Sequence, residues 1–268
     1  MAPTVALTWL RTSCVLVQAG GVTLLTDPWF GMRMRVLPVW RAAAIALENL
    51  PAIDLILASH LHADHFDVAA ANMLVAHGAP VIAPPGSSKV LRRKGFAGDV
   101  IELAPWQTWH GRGVEVVATP AAHTGPPPAE VGLWFRVGDA TCYFAGDQRF
   151  STVFAQVGTR LGQVDVALLP VGGTQILGHR TTMDPGDAVR AAALLRPQHV
   201  LPIHEGGEWM SVPPLSRHPG RCRDFLARLA TSGLPISGLR AAPGERVVVP
   251  CGVRASFCAL PDAIAEAL

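Results

Sequence analysis

Charge is scarce in this chain: Asp, Glu, Lys and Arg supply only 16% of 268 residues, against 50% hydrophobic ones. That balance excludes a self-repelling, disordered chain and implies an extensively buried core. The formal net charge is only +2, and the Lys and Arg residues are scattered, so no broad basic face is available to track phosphates. The one dense basic stretch, Lys89 to Lys94, reads as the solvated face of a surface helix. Nucleic acid is therefore not the expected partner. Pairable cysteine is lacking too. Cys14, Cys142, Cys222, Cys251 and Cys258 are odd in number and show no CxxC spacing, which excludes a disulfide framework and a zinc ribbon and leaves reduced structural thiols. No uninterrupted apolar run approaches the roughly 20 residues needed to cross a bilayer. The N-terminus has no basic segment leading into an apolar one. The expectation is a soluble cytoplasmic protein, with homo-oligomerisation left open.

Short apolar runs dominate what is present. Val5 to Trp9, Cys14 to Gln18 and Val22 to Thr26 read as antiparallel strands, with Gly20-Gly21 turning between the last two. Asp27 to Pro38, rich in Pro, Gly, Trp and Met, reads as a long loop able to line a pocket. Ile53 to Ser59 is a continuous apolar run, as expected of a buried strand. Asp67 then caps a helix over Val68 to Ala76 that Gly78 stops. Further strands are expected near Val81, Val100, Val114, Leu133, Thr141, Val166 and Val200, and helices at Ser87 to Lys94, Asp184 to Leu195 and Arg221 to Thr231. Strands alternating with helices, and no linker long enough to split the chain, predict α+β sheets packed together with helices outside, in a single domain over 1–268.

The chemistry concentrates in Ser59-His60-Leu61-His62-Ala63-Asp64-His65. His60 and His62 lie two apart and Asp64 and His65 follow at once, so a strand end running into a tight turn can aim all four inward. Imidazole and carboxylate suit borderline or hard divalent ions, and no nearby Cys suggests a thiolate site. His123, Asp147 and His204 each follow an expected strand. Alone, each reads as an ordinary hydrogen-bonded loop residue; together with the cluster they read as further ligands.

This pattern resembles the metallo-β-lactamase superfamily, whose signature is HxHxDH followed by a His, an Asp and a final His. Seven ligand positions match. The resemblance implies an αββα four-layer sandwich with metals at one edge between the sheets. It further implies that His60, His62 and His123 hold a first ion, Asp64, His65 and His204 a second, and that Asp147 bridges them. Leu24-Leu25-Thr26-Asp27-Pro28, Leu50-Pro51-Ala52-Ile53-Asp54 and Met183-Asp184-Pro185 resemble the branch of ascorbate-6-phosphate lactonase and N-acylphosphatidylethanolamine phospholipase D-like proteins. Two places depart from that branch. Arg11-Thr12 stand where relatives often carry Gly-His, and Thr182 where some carry a His.

The expected cofactors are two divalent ions, zinc first, with manganese or iron also suited to these ligands. Ions about 3.5–4 Å apart share a water, lower its pKa to about 7 and present hydroxide to a small-molecule phosphodiester, lactone, ester or amide. Asp64 and Asp147 would be catalytic as well as ligating, Asp64 by orienting that hydroxide. Asp27 is either the acceptor that orients a metal-bound His or a turn-forming Asp before Pro. His179, in a Gly-rich stretch, is either a proton donor to the leaving group or a solvated loop residue. Trp29, Met32, Met34 and Trp209 are candidate pocket walls, core packing being the alternative for each. Other classes use the same residues differently: a di-iron redox protein or oxygenase, or a non-catalytic binding protein that has kept the fold.

Overall fold

Two seven-stranded sheets organise the chain, and each is antiparallel on one side and parallel on the other. In the first, the order is Arg246–Pro250, Thr4–Arg11, Cys14–Ala19, Val22–Thr26, Leu55–Leu57, Val81–Ala83, Val100–Glu102. In the second it is Ser237–Gly238, His199–Ile203, Val166–Pro170, Ala140–Phe144, Val131–Val137, Val114–Pro120, Thr108–Gly111. The computed structural model describes residues 3–34, 37–123, 127–205, 213 and 215–252.

The continuous apolar runs have a simple cause: most strands are buried on both faces. Successive side chains point to opposite sides of a strand, and both sides are dry. Leu168 packs into the core shared by the two sheets with Leu7, Leu57 and Phe135. Its neighbour Leu169 packs into a second core beneath helices. Those helices are α3 (Val153–Leu161), α4 (Pro185–Leu195) and α5 (Cys222–Thr231), and α1 (Val68–Leu74) and α2 (Ser87–Arg93) cover the other sheet. The result is the four-layer αββα sandwich.

Local chemistry sets the helix starts. Asp67 accepts from Ala69 N and Ala70 N at 3.0 and 3.3 Å, beginning α1. Asp184 accepts from Asp187 N at 2.9 Å, with Pro185 opening α4 where its missing N–H costs nothing. The sequence reading does not anticipate α3, whose middle holds Gly158, a residue that ordinarily weakens a helix. Packing explains it. A Cβ there would stand 3.1 Å from Leu194 O and 3.2 Å from Leu195 O, so glycine lets α3 approach the end of α4. The edge strands Thr108–Gly111, Ser237–Gly238 and Arg246–Pro250 are likewise additional; the last two pair with strands distant in sequence, and the first pairs with Val114–Pro120 across the Arg112-Gly113 turn.

Parallel strands leave their carboxyl ends on one side of each sheet, and the candidate ligands sit there. Thr26 leads to Asp27, Leu57 to His60, Phe144 to Asp147 and Ile203 to His204. The crevice outside these strand ends is where such sheets bind ligands.

Candidate metal centre

The loop after Leu55–Leu57 turns tightly, with His65 N and Phe66 N donating to His62 O at 3.1 and 3.0 Å. This turn brings His60, His62, Asp64 and His65 together, and the exits of three other strands bring the rest. Two adjacent groups result, in which ligand atoms lie within 4.8 Å of one another, His60, His62 and His123, and Asp64, His65, Asp147 and His204; a third, Asp27, His60 and His65, overlaps both. His123 Nε2 is 3.4 Å from His62 Nδ1. Asp147 Oδ1 is 3.2 Å from His65 Nε2 and 2.9 Å from His204 Nε2. His60 joins the two groups, its ring centroid 4.1 Å from that of His65. Asp147 stands by its carboxylate with the second group and by its carbonyl oxygen, 3.2 Å from His123 Nδ1, against the first.

Glycine makes two of these approaches feasible. At Gly146, with φ +63°, a Cβ would collide with Glu130 Oε1 and Ser59 Cβ. At Gly172 it would collide with the carbonyl oxygen of His204, whose own φ is +56°. Thr12 fixes His204 from the other side, its carbonyl accepting from His204 N at 2.8 Å. The Arg11-Thr12 pair thus supports the cluster through backbone, while Arg11 itself lies buried with its guanidinium 3.6 Å from the Trp29 ring.

The donor set fits a divalent metal. His60 Nε2 is buried and makes no hydrogen bond among the described residues, and buried His65 Nε2 and His204 Nε2 both converge on the single oxygen Asp147 Oδ1. Such crowding of buried polar atoms is costly unless something else engages them. Burial, aided by His65, pushes His60 well below the ordinary histidine range, and burial followed by neighbouring imidazoles lowers His62 and His123. All three therefore present neutral lone pairs, the form that ligates. His65 behaves oppositely. Burial disfavours its charge, but Asp147 and Asp27 outweigh burial and hold it well above the ordinary range. Asp147 stays well below the usual carboxylate range, because His204 and His65 overcome the effect of its burial.

Asp27 is buried, with φ +33°. Its Oδ2 lies 2.6 Å from His65 Nδ1 and accepts from Ser59 Oγ at 2.7 Å, while Oδ1 accepts from Ser59 N at 2.7 Å. With the Nδ1 proton engaged, Nε2 is the atom of His65 that faces Asp147. Glu130, which the sequence reading leaves out, occupies the corresponding place beside the first group: its oxygens are 3.5 Å from His60 Nδ1 and His123 Nδ1, and it accepts from Asp147 N. Burial, then Asp147, raises its carboxyl well above the usual range. Nothing local marks it in the sequence beyond an acidic residue opening an apolar strand.

The exposed side of the cluster is formed by half-buried His62, Asp64 and His123. Trp29, Met32, Phe66 and Lys94 line an open groove beside Ala63. Trp29 is nonetheless almost wholly buried and Met32 half exposed. Met34 belongs to the two-residue strand Arg33–Met34, and Trp209 lies outside the described residues. His179 is exposed on the two-residue strand His179–Arg180. No hydrogen bond or ion pair joins it to the cluster among the described residues. His218 is buried with its ring centroid 6.5 Å from that of His204. Burial and His204 lower its pKa to about 4.

Residues 23–204, which span every candidate ligand, match the model of the beta-lactamase superfamily domain. The chain belongs to the metallo-β-lactamase superfamily. Within the superfamily it stands with the metal-dependent hydrolases. A UPF0173 metal-dependent hydrolase of Pyrobaculum calidifontis is 31% identical over 230 residues, 82% of this chain and 90% of that protein. An N-acyl-phosphatidylethanolamine-hydrolyzing phospholipase D of Caenorhabditis elegans is 27% identical over 230 residues, 74% of this chain and 63% of its own length. A solved metallo hydrolase from Ignicoccus hospitalis superposes with a TM-score of 0.73 at 26% identity, covering 92% of this chain and 98% of that one. The di-iron β-hydroxylase of Streptomyces venezuelae superposes with a TM-score of 0.70 at 21% identity, covering 92% and 54%, and shares the fold alone. No helix among the described residues is long and apolar enough to cross a membrane.

Proposed function

We propose that this member of the metallo-β-lactamase superfamily binds two divalent ions, zinc foremost, and hydrolyses a small-molecule phosphodiester, lactone or related ester. The observation that carries the reading is the convergence of the buried His65 and His204 Nε2 atoms on Asp147 Oδ1 beside the His60, His62 and His123 group. His60, His62 and His123 would hold the first ion, Asp64, His65 and His204 the second, with Asp147 held in common. Ions held there would supply a water of pKa about 7 and a Lewis acid for the scissile oxygen.

The protein's own groups do the rest. Asp27 fixes the His65 ring, Ser59 Oγ links Asp27 to His60 Nδ1, and Glu130 faces the Nδ1 atoms of His60 and His123; anchoring of this kind sets ring orientation. Half-buried Asp64, on the open side, orients the attacking oxygen. The open groove at Met32, beside Ala63, receives an apolar part of the substrate. Likeness to the phospholipase D and to the lactonase branch favours phosphodiester or lactone over β-lactam. We read 1–268 as one functional unit, because both sheets share a single core. The four described cysteines are unpaired, which supports the reducing cytoplasm as its compartment.

The test is turnover of phosphodiester, lactone, ester and β-lactam substrates by metal-reconstituted protein, alongside Asp147→Ala. Hydrolysis by the wild type, and loss of both turnover and metal in the variant, is the expected result. Unchanged turnover by Asp147→Ala would place the chemistry elsewhere. Metal analysis and a visible spectrum settle the metal: redox-active iron in protein purified without chelator would replace the hydrolase reading with the di-iron one.

A further inference from the structure

His218 stands outside both ligand groups and is nonetheless held as firmly as they are. Gly220 N donates to Gly172 O at 2.9 Å, and Arg221 Nη1 donates to His218 O at 2.6 Å. A Cβ at Gly220 would collide with Val171 O and stand 2.9 Å from Pro185 Cδ. Glycine therefore presses His218-Pro219-Gly220 against the same 171–174 segment whose Gly172 backs onto His204. The ring is set by Thr174, with Oγ1 3.0 Å from His218 Nδ1. Thr174 is itself fixed, its N donating to Thr182 Oγ1 at 2.9 Å and its carbonyl accepting from Thr181 N at 2.8 Å.

This arrangement decides where the ring proton sits. Thr174 is buried, and its hydroxyl has no other partner among the described residues. A buried donor left unpaired costs about 1–3 kcal/mol, so the hydroxyl donates to Nδ1 and the imidazole carries its proton on Nε2. Nε2–H has no hydrogen-bond acceptor among the described residues. A ring locked at its backbone and at Nδ1, with its centroid 6.5 Å from that of His204, presents beside the candidate metal centre a donor that no described residue takes up. Fixed donors of this kind stabilise charge that develops during reaction without having to reorganise.

We propose that His218 contacts substrate, its Nε2–H donating to the oxygen that gains negative charge when the carbonyl or phosphoryl centre is attacked. The inference rests on the hydrolase reading. His218 keeps its proton throughout, so the ligand it takes is an oxyanion in the making and not a base. Thr174 is a positioning residue, acting through His218.

The experiment uses the zinc-loaded full chain with His218→Ala, His218→Gln and Thr174→Val, assayed on bis(4-nitrophenyl) phosphate and a simple γ-lactone. Zinc stoichiometry is measured in parallel, and imidazole 15N shifts report the tautomer. His218→Ala is expected to keep its zinc and lose about 10²–10³-fold in kcat/KM, chiefly through kcat, with Gln recovering part through its amide donor. Thr174→Val is expected to lose about 2–10-fold and to mix the tautomers of a ring that is purely Nε2–H in the wild type. Unchanged kcat/KM in His218→Ala, loss of zinc in that variant, or a wild-type proton on Nδ1 would each overturn the proposal. If the wild type cleaves neither probe, the hydrolase reading fails separately, and the tautomer still supports or overturns His218 as the donor.

Discussion

Replacing Asp27 by Asn tests whether an acceptor behind His65 governs metal binding. Asn is the right perturbation because it keeps the shape and, like Asp, tolerates the left-handed backbone found here at φ +33°. Its amide oxygen can still accept from Ser59 N, now received by Oδ1 at 2.7 Å. The NH2 then replaces Oδ2, the atom 2.6 Å from His65 Nδ1. Two donors cannot share that contact, so His65 must move its proton to Nε2, the atom 3.2 Å from Asp147 Oδ1 and the one available to a metal. Loss of such a partner weakens metal affinity by about 10–100-fold. The effect should be larger in the group that contains His65 than in that of His60, His62 and His123, which Asp27 reaches only through Ser59 Oγ, 2.9 Å from His60 Nδ1. Chelator competition followed by metal counting reads both, with melting temperature as the control for folding. Two ions bound with wild-type affinity in a folded Asp27→Asn protein would refute the reasoning.

The two groups should also release metal at different acidities. His65 is held above the ordinary histidine range by Asp147 and Asp27 despite its burial, so an ion there displaces a proton and affinity climbs with pH until the folded pKa is passed; His60, His62 and His123 are lowered and compete with metal only below the ordinary range. Calorimetry at pH 7 in buffers of different ionisation enthalpy should show proton release for one ion and none for the other, and equal release for both would contradict this. Gly146→Ala should destabilise the fold by about 1–3 kcal/mol of overpacking against Glu130 and Ser59, plus about 1–2 kcal/mol for a side chain at positive φ, read as a lowered denaturation midpoint; an unchanged midpoint would show that the turn can relax. Burial raises the thiol pKa of Cys14, Cys142, Cys222 and Cys251, so none of the four should label with a thiol reagent at pH 8 in the native protein. Peptide mapping that finds an adduct on Cys14 or Cys142 would count against the packing described.

Sequence by itself marked the candidate ligands and the packed sheets with helices outside. Continuous apolar runs mark strands dry on both faces, and residues placed just beyond them necessarily emerge at strand ends, so His60 to His65, His123, Asp147 and His204 were legible as metal-type residues. The caps at Asp67 and Asp184 were legible because capping is local. Tertiary structure alone decided which groups support the ligands. Asp27 reaches His65 only because Val22–Thr26 lies in register with Leu55–Leu57; from sequence a turn-forming Asp before Pro explained it equally well. Glu130, like His218, belongs to no periodic pattern, and each meets the cluster through loops whose path is set by packing at Gly146, Gly172 and Gly220. The helix α3 was hidden for the same reason: its glycine weakens the local signal and becomes favourable only where α4 lies against it. Propensity and spacing act over a few residues, whereas a hydrogen bond to a metal ligand requires two distant strands to fold into neighbouring positions first.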